Sequence, residues 1–239
     1  GDRMIDCVNY VITHKEFPVK QDDLYRMLCV GGFRKDGALC ELDGENIAQY
    51  NDRINECTGL YWIWKNTDSE YVGLSHYRRW FYNWRFDNDR SRLDADRIEE
   101  ILCGQGYDII LTHPSWFRWR TYDNISLALG PNLNHVAYTE FAKAIAERQP
   151  EYADAFEEVL MGDHMYICNM FVTRRELMNQ YCEWLFSFLT DAADRIDVSG
   201  CTARQKRVAG YYAEMLPSVW MRKHPEVRVC EMPHLMVWG

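Results

Sequence analysis

Between residues 45 and 81 the chain runs from a helix with one apolar face straight into a short buried strand, an order that restricts its fold strongly. Ile47, Tyr50, Ile54, Cys57, Tyr61 and Trp64 recur by threes and fours, the period of a helix that buries one stripe. Asp43 suits the N-cap and Glu45 the first turn. Gly59 is the expected break if the segment splits into two helices. Residues 71–75 (YVGLS) are apolar but too short for a helix, and read as a strand. That strand ends in His76-Tyr77-Arg78-Arg79-Trp80, a cationic and aromatic cluster suited to an anionic ligand with a flat ring.

Other segments repeat the alternation. Residues 5–13, 107–112 and 165–173 are rich in β-branched and apolar side chains and predict strands, with a further short strand at 227–230. Helices are predicted at 135–148 and 152–160, along the apolar face running from Leu177 to Ile196, and at 203–223, where Pro217 should kink or end the helix. Residues 16–44 and 113–134 read as loops, and 82–100 as a polar stretch ending in a short helix. Strands alternating with helices predict an α/β fold with a mostly parallel sheet flanked by helices. With no linker or repeat in view, 1–239 reads as a single domain with a C-terminal helical part from about 175. Ligands of such sheets bind beyond the carboxyl ends of the strands, where His14-Lys15, His76 to Arg79 and Thr112-His113 fall.

Composition excludes several classes. A formal charge of −9 argues against a nucleic-acid partner, which needs a basic footprint. Nine cysteines show neither a C-x-x-C pair nor zinc spacing, the pattern of reduced thiols. No apolar run reaches the roughly 18 residues that span a bilayer, and the opening residues carry no signal-peptide pattern. A cytoplasmic protein is expected, with peripheral association at the inner face of the plasma membrane as a further expectation. G-x-G-x-x-G, Walker and G-x-S-x-G motifs are absent, against dehydrogenase, NTPase and α/β-hydrolase chemistry.

Candidate site residues follow from these patterns. Arg78 and Arg79 can bind phosphate oxygens in bidentate geometry, with His76, His14 and Lys15 adding donors or charge at neighbouring strand ends. The polar side of the first helix shows Asn46, Asn51, Asn55, Thr58, Trp62 and Lys65. Asparagine is a poor choice for a solvated helix face, so Asn51 and Lys65 are expected to face ligand or a buried polar network. Asn169, inside a predicted strand, must find partners, for structure or at a ligand. Arg207 and Glu214 share a helix face, which suits a surface ion-pair network or substrate contact equally. Asp87-Asn88-Asp89 is a D-x-D without the apolar strand that should lead into a metal site.

The blocks THK (13–15), ENI…N…ECTGLYWIWKN (45–66), YVGLSHYRRWF (71–81), YDIIL (107–111), NMFV…YCEWLF (169–186) and R…GYYAEML (207–216) resemble, in this order, the bacterial capsular and exopolysaccharide biosynthesis glycosyltransferase family, formerly catalogued as a domain of unknown function. The resemblance implies a GT-A-like fold and transfer of a hexose, with galactofuranose among the sugars, from a nucleotide-sugar donor, usually UDP-linked, to a glycan or lipid-linked glycan acceptor of the cell surface. Such a transfer needs a carboxylate at the acceptor hydroxyl or the developing sugar cation; Asp163, Glu56 and Asp123 are the candidates. Fixed cations can serve the leaving diphosphate, so no cofactor is expected to be required, with Mn or Mg as the alternative. A non-catalytic nucleotide- or glycan-binding module is the rival reading, and a glycoside hydrolase, which needs a carboxylate pair, a weaker one.

Overall fold

Strand β1 (Cys7–Thr13), all but one of whose residues are buried, lies inside a nine-stranded sheet in the computed structural model, which describes residues 5–83, 91–167 and 169–238. Along the chain follow β2 (Tyr25–Cys29), β3 (Leu39–Cys40), α1 (Asn51–Ile54), α2 (Cys57–Asn66), β4 (Tyr71–His76), β5 (Arg79–Phe81) and α3 (Ala95–Glu99). Next come β6 (Ile109–Thr112), β7 (Ser115–Trp116), α4 (Thr121–Leu129), α5 (Pro131–Arg148), α6 (Ala153–Leu160), β8 (His164–Met165) and β9 (Phe171–Arg174). The chain ends through α7 (Arg175–Phe186), α8 (Leu189–Asp194), α9 (Ala203–Lys206), α10 (Val208–Arg222), β10 (Val229–Met232) and β11 (His234–Met236).

The main path of the sheet is β10-β6-β9-β4-β1-β2-β3. Only β9 runs against its neighbours on that path, pairing antiparallel with β4 and β6. Beyond β4, β5 folds back antiparallel and β11 pairs with it. One face carries the larger core, in which Leu28, Val72 and Leu74 meet Ile54, Ile63, Phe141, Leu185 and Tyr212 from the helices. The other face is covered by α3 and its continuation through Ile98, Ile101 and Leu102. The expected α/β class with a mostly parallel, helix-flanked sheet is the class observed.

Several local expectations are corrected. Residues 16–44 contain β2 and β3, whose parallel pairing with β1 extends the sheet. Asp43 is no helix cap: its carboxylate pairs with Arg34 at 3.1 Å, and its carbonyl accepts the Trp62 indole N–H at 2.7 Å. Trp62 is therefore buried and not on a ligand face. The break between α1 and α2 falls at Asn55, which takes the left-handed conformation (φ 53°), and not at Gly59. Gly59 instead lets α2 approach the sheet, since a Cβ there would lie 2.5 Å from Ile12 Cδ1.

Residues 113–134 are mostly helical. Gly130 (φ 100°) ends α4, and Pro131, whose missing N–H is harmless in a first turn, starts α5. The strand expected over 165–173 is interrupted by Asn169, at φ 44°. Pro217 stands inside α10 and does not end it; the last helix divides instead at Arg207. Among the described residues no helix is long and apolar enough to cross a membrane.

Gly210 positions α10. A Cβ at this residue would sit 2.4 Å from Asn55 Nδ2 and 3.3 Å from the Arg53 carbonyl oxygen. Gly210→Ala is expected to destabilise the protein by about 1–3 kcal/mol, because the steric cost exceeds the gain in helix propensity. Urea denaturation checks this; an unchanged or raised midpoint would show that α10 can move away without cost.

Candidate active site

β1 and β4 run parallel with Ile12 opposite His76, so their carboxyl ends bring His14 and His76 to one edge. There β4 turns back through Tyr77 and Arg78 into β5, with His76 paired to Arg79. The HYRR cluster is thus the tip of a tight antiparallel turn. Val237 of the C-terminal segment donates its N–H to the Arg78 carbonyl at 2.8 Å, tying the tip down.

His14, His76, Arg78, Arg79, Asn51 and Arg207 line one cavity of about 350 Å³, whose walls also include Gly31, Asn55 and Glu56. Asn55, Glu56, His76, Arg79 and Arg207 are shared with an adjoining chamber of about 720 Å³ lined by Arg204, Tyr211 and Glu214. Arg79, Tyr211 and Glu214 continue into a recess formed with Phe117, Thr121 and Asn124. The cleft is therefore elongated: cationic at the β1–β4 end, mixed aromatic and carboxylate toward α10 and α4.

Arg78 packs 5.1 Å from the Tyr77 ring, and among the described residues no carboxylate pairs with Arg78 or Arg207. The His14 imidazole is held below its ordinary pKa first by burial, then by Lys15, Arg207, Arg78 and His76. It is neutral at pH 7 in the free protein. A bound diphosphate would oppose those positive charges and raise the His14 pKa, so binding should take up a proton and tighten as pH falls through the raised value. Calorimetry in buffers of different ionisation enthalpy reads that proton; release on binding, or none, would contradict it.

Glu56 is the carboxylate oriented for work in this cleft. It sits at the N-terminal edge of α2, and its Oε1 accepts a hydrogen bond from Asn169 Nδ2 at 2.7 Å. The left-handed backbone at Asn169 aims that amide at Glu56, so the polar residue expected within a strand serves as a bracket beside the sheet. Glu56 Oε2 accepts no protein hydrogen bond among the described residues.

Other anticipated residues lie elsewhere. Lys15 is exposed, with its ammonium 5.9 Å from the Tyr77 ring. Lys65 packs 3.9 Å over the Trp64 ring and 4.0 Å from Glu45, outside the cleft lining, because α2 turns it away from the sheet edge. Asp123 forms a two-point pair with Arg120 in the first turn of α4, which holds its carboxyl below the usual range. Asp163 is exposed and paired with His164 at 3.0 Å. Neither aspartate lines the cleft. Asp87 and Asp89 lie outside the described residues.

Sequence reasoning passed over Gly31, Phe117, Asn124 and Tyr211. Tyr211 had a usable signal, since it follows Arg207 by one helical turn on the same face. Among the described residues no group of three or more His, Cys, Asp or Glu could hold a metal ion.

Comparison with curated protein sequences returns no match. Among solved structures, the apo WbbM bifunctional glycosyltransferase is similar over 98% of this chain, with a TM-score of 0.79 and 26% sequence identity. The chain spans 46% of that longer one. In sequence, residues 9–225 match the family described as Domain of unknown function (DUF4422), and the chain belongs to that family.

Proposed function

We propose that the chain is a glycosyltransferase that moves a hexose, galactofuranose among the options, from a UDP-linked donor to a glycan or lipid-linked glycan acceptor of a surface polysaccharide. The observation that carries this is the convergence of His14, His76, Arg78, Arg79 and Arg207 on one cavity that also holds an oriented carboxylate, Glu56. The similarity to a bifunctional glycosyltransferase supports the same reading. On this account residues 1–239 work as one GT-A-like transferase unit, acting at the cytoplasmic side of the membrane.

In the reaction the bond between the anomeric carbon and the diphosphate oxygen breaks, and a bond from the acceptor hydroxyl oxygen forms. Arg78 and Arg207 take the charge that develops on the departing diphosphate, in a cavity partly shielded from water. Glu56 accepts the acceptor's proton through Oε2, while Asn169 keeps Oε1 in place. The recess of Phe117, Asn124 and Tyr211 offers aromatic and amide surface for the acceptor sugar.

A divalent ion fits the described residues poorly. The edge where the diphosphate would lie carries guanidinium groups, and Glu56 and Glu214 stand among arginines. We therefore assign the leaving-group charge to the protein's own cations.

Calorimetry with UDP, GDP and their sugars, with and without Mn²⁺, tests the reading. Binding without metal, lost on substitution of Arg78, is expected. Absence of nucleotide binding under all conditions would overturn it, and hydrolysis of a simple glycoside would favour a hydrolase.

A further inference from the structure

The donor cavity contains a hydrogen-bond relay that the reaction itself does not need. Asn51 opens α1 and lines the cavity beside His14 and Gly31. Its Nδ2 donates to the Asn55 carbonyl at 3.0 Å and to Thr58 Oγ1 at 3.0 Å. Both amide protons are thereby spent. A flipped amide would set Oδ1 against the Asn55 carbonyl oxygen, acceptor facing acceptor, so the network itself fixes the orientation.

Thr58 is fully buried and has one proton to give, which goes to Glu41 Oε2 at 2.9 Å or the Asn55 carbonyl at 3.2 Å. Its oxygen remains an acceptor for Asn51 in either case. Glu41 is 1% exposed, an expensive place for a carboxyl group. Burial raises its pKa, opposed by the hydrogen bond from the Thr58 hydroxyl, and its Oε1 has no hydrogen-bond partner among the described residues. A carboxyl kept beneath the cavity floor holds Thr58, and through it Asn51, in one arrangement.

The outcome is an amide oxygen offered to the cavity. Asn51 Oδ1 accepts no protein hydrogen bond among the described residues. Gly31 leaves it uncovered: its φ of +68° is left-handed, and a Cβ there would stand 2.8 Å from Oδ1. A lone carbonyl acceptor rewards a partner N–H and repels a lone pair.

We propose that Asn51 reads the nucleotide base, its Oδ1 selecting a base with a ring N–H, as in uracil or guanine, over one with a ring-nitrogen lone pair at that place, as in cytosine or adenine. Thr58 and Glu41 are positioning residues that keep the amide from turning. The assignment rests on the nucleotide-sugar reading above and adds to it the determinant of base choice.

Calorimetry of the full chain with UDP, GDP, CDP and ADP tests it. UDP or GDP should bind at least about tenfold tighter than CDP and ADP, since the wrong base both loses a hydrogen bond and meets a repelling oxygen. The order of UDP and GDP identifies which ring N–H is read. In Asn51→Ala and Thr58→Val the preference should shrink to within about threefold while diphosphate binding persists, because the arginines are untouched. Gly31→Ala, whose methyl would cover Oδ1, should act like Asn51→Ala and offers a second route if one variant fails to fold. Equal binding of all four by the wild type, or a preference that survives Asn51→Ala, overturns the proposal and leaves the transferase reading standing. No binding of any diphosphate overturns both.

Discussion

Replacing Arg78 and Arg207 together by alanine is expected to weaken nucleoside diphosphate binding by about two to four orders of magnitude, and Arg78→Ala alone by about 10- to 100-fold. Each guanidinium supplies charge-assisted hydrogen bonds worth about 1.5–3 kcal/mol to an anion. The effect should be large because neither side chain is neutralised by a protein carboxylate among the described residues. Lysine at position 78 should recover only part of the loss, since an ammonium cannot make the two-point contact. Calorimetry of the alanine and lysine variants checks both statements. Affinity unchanged by the double substitution would remove the cationic end of the cleft from the binding site.

Glu56→Gln should lower kcat by about 10²- to 10⁴-fold while leaving donor affinity within a few-fold, the signature of a group that handles a proton. Glutamine keeps the hydrogen bond from Asn169 to an amide oxygen but cannot take the acceptor's proton. Asn169→Ala should cost less, because it frees the carboxylate without removing it. Asp123→Asn and Asp163→Asn should leave turnover within about twofold, as exposed ion pairs contribute little. These four variants rank the three carboxylates by steady-state kinetics with a fixed donor. A loss at Asp163 as large as at Glu56 would move the base to the β7–β8 side.

The sheet and the cationic turn were legible from sequence because their signals are local. β1 and β4 are short runs rich in apolar and β-branched residues, and the cluster after β4 follows its strand directly. β2 was hidden among charged and glycine-rich neighbours, although its Met27, Leu28 and Cys29 are nearly inaccessible to solvent. The 113–134 stretch looked irregular because arginines and tryptophans crowd the segment before α4, while Gly130 ends α4 and Pro131 starts α5 directly after it. Asn55 took the helix break from Gly59 through tertiary demand. Its amide packs under Gly210 of α10, a contact between residues 155 positions apart.

The same distance effect limited the site. Arg78 and Arg79 advertise themselves as a pair, whereas Arg207 joins them only through the packing of α10 against the α1–α2 bend. Glu56 and Asn169 lie 113 residues apart, so nothing in either segment announces their hydrogen bond. Lys65 followed the helical pattern correctly yet faces away from the cleft, because a polar helix face holds both ligand-side and solvent-side positions. Glu41 carried no signal at all, being one of 36 acidic residues until the fold buries it beneath Thr58.

If fixed protein cations stabilise the departing diphosphate, release should need no metal ion. Release of UDP from a UDP-hexose panel, measured in excess EDTA with a surface-glycan acceptor fraction, tests it most directly. Release should persist in EDTA and be lost in the Arg78→Ala, Arg207→Ala double variant. Wild-type release abolished by EDTA and restored by Mn²⁺, together with loss in an Asp87→Ala, Asp89→Ala variant, would contradict it.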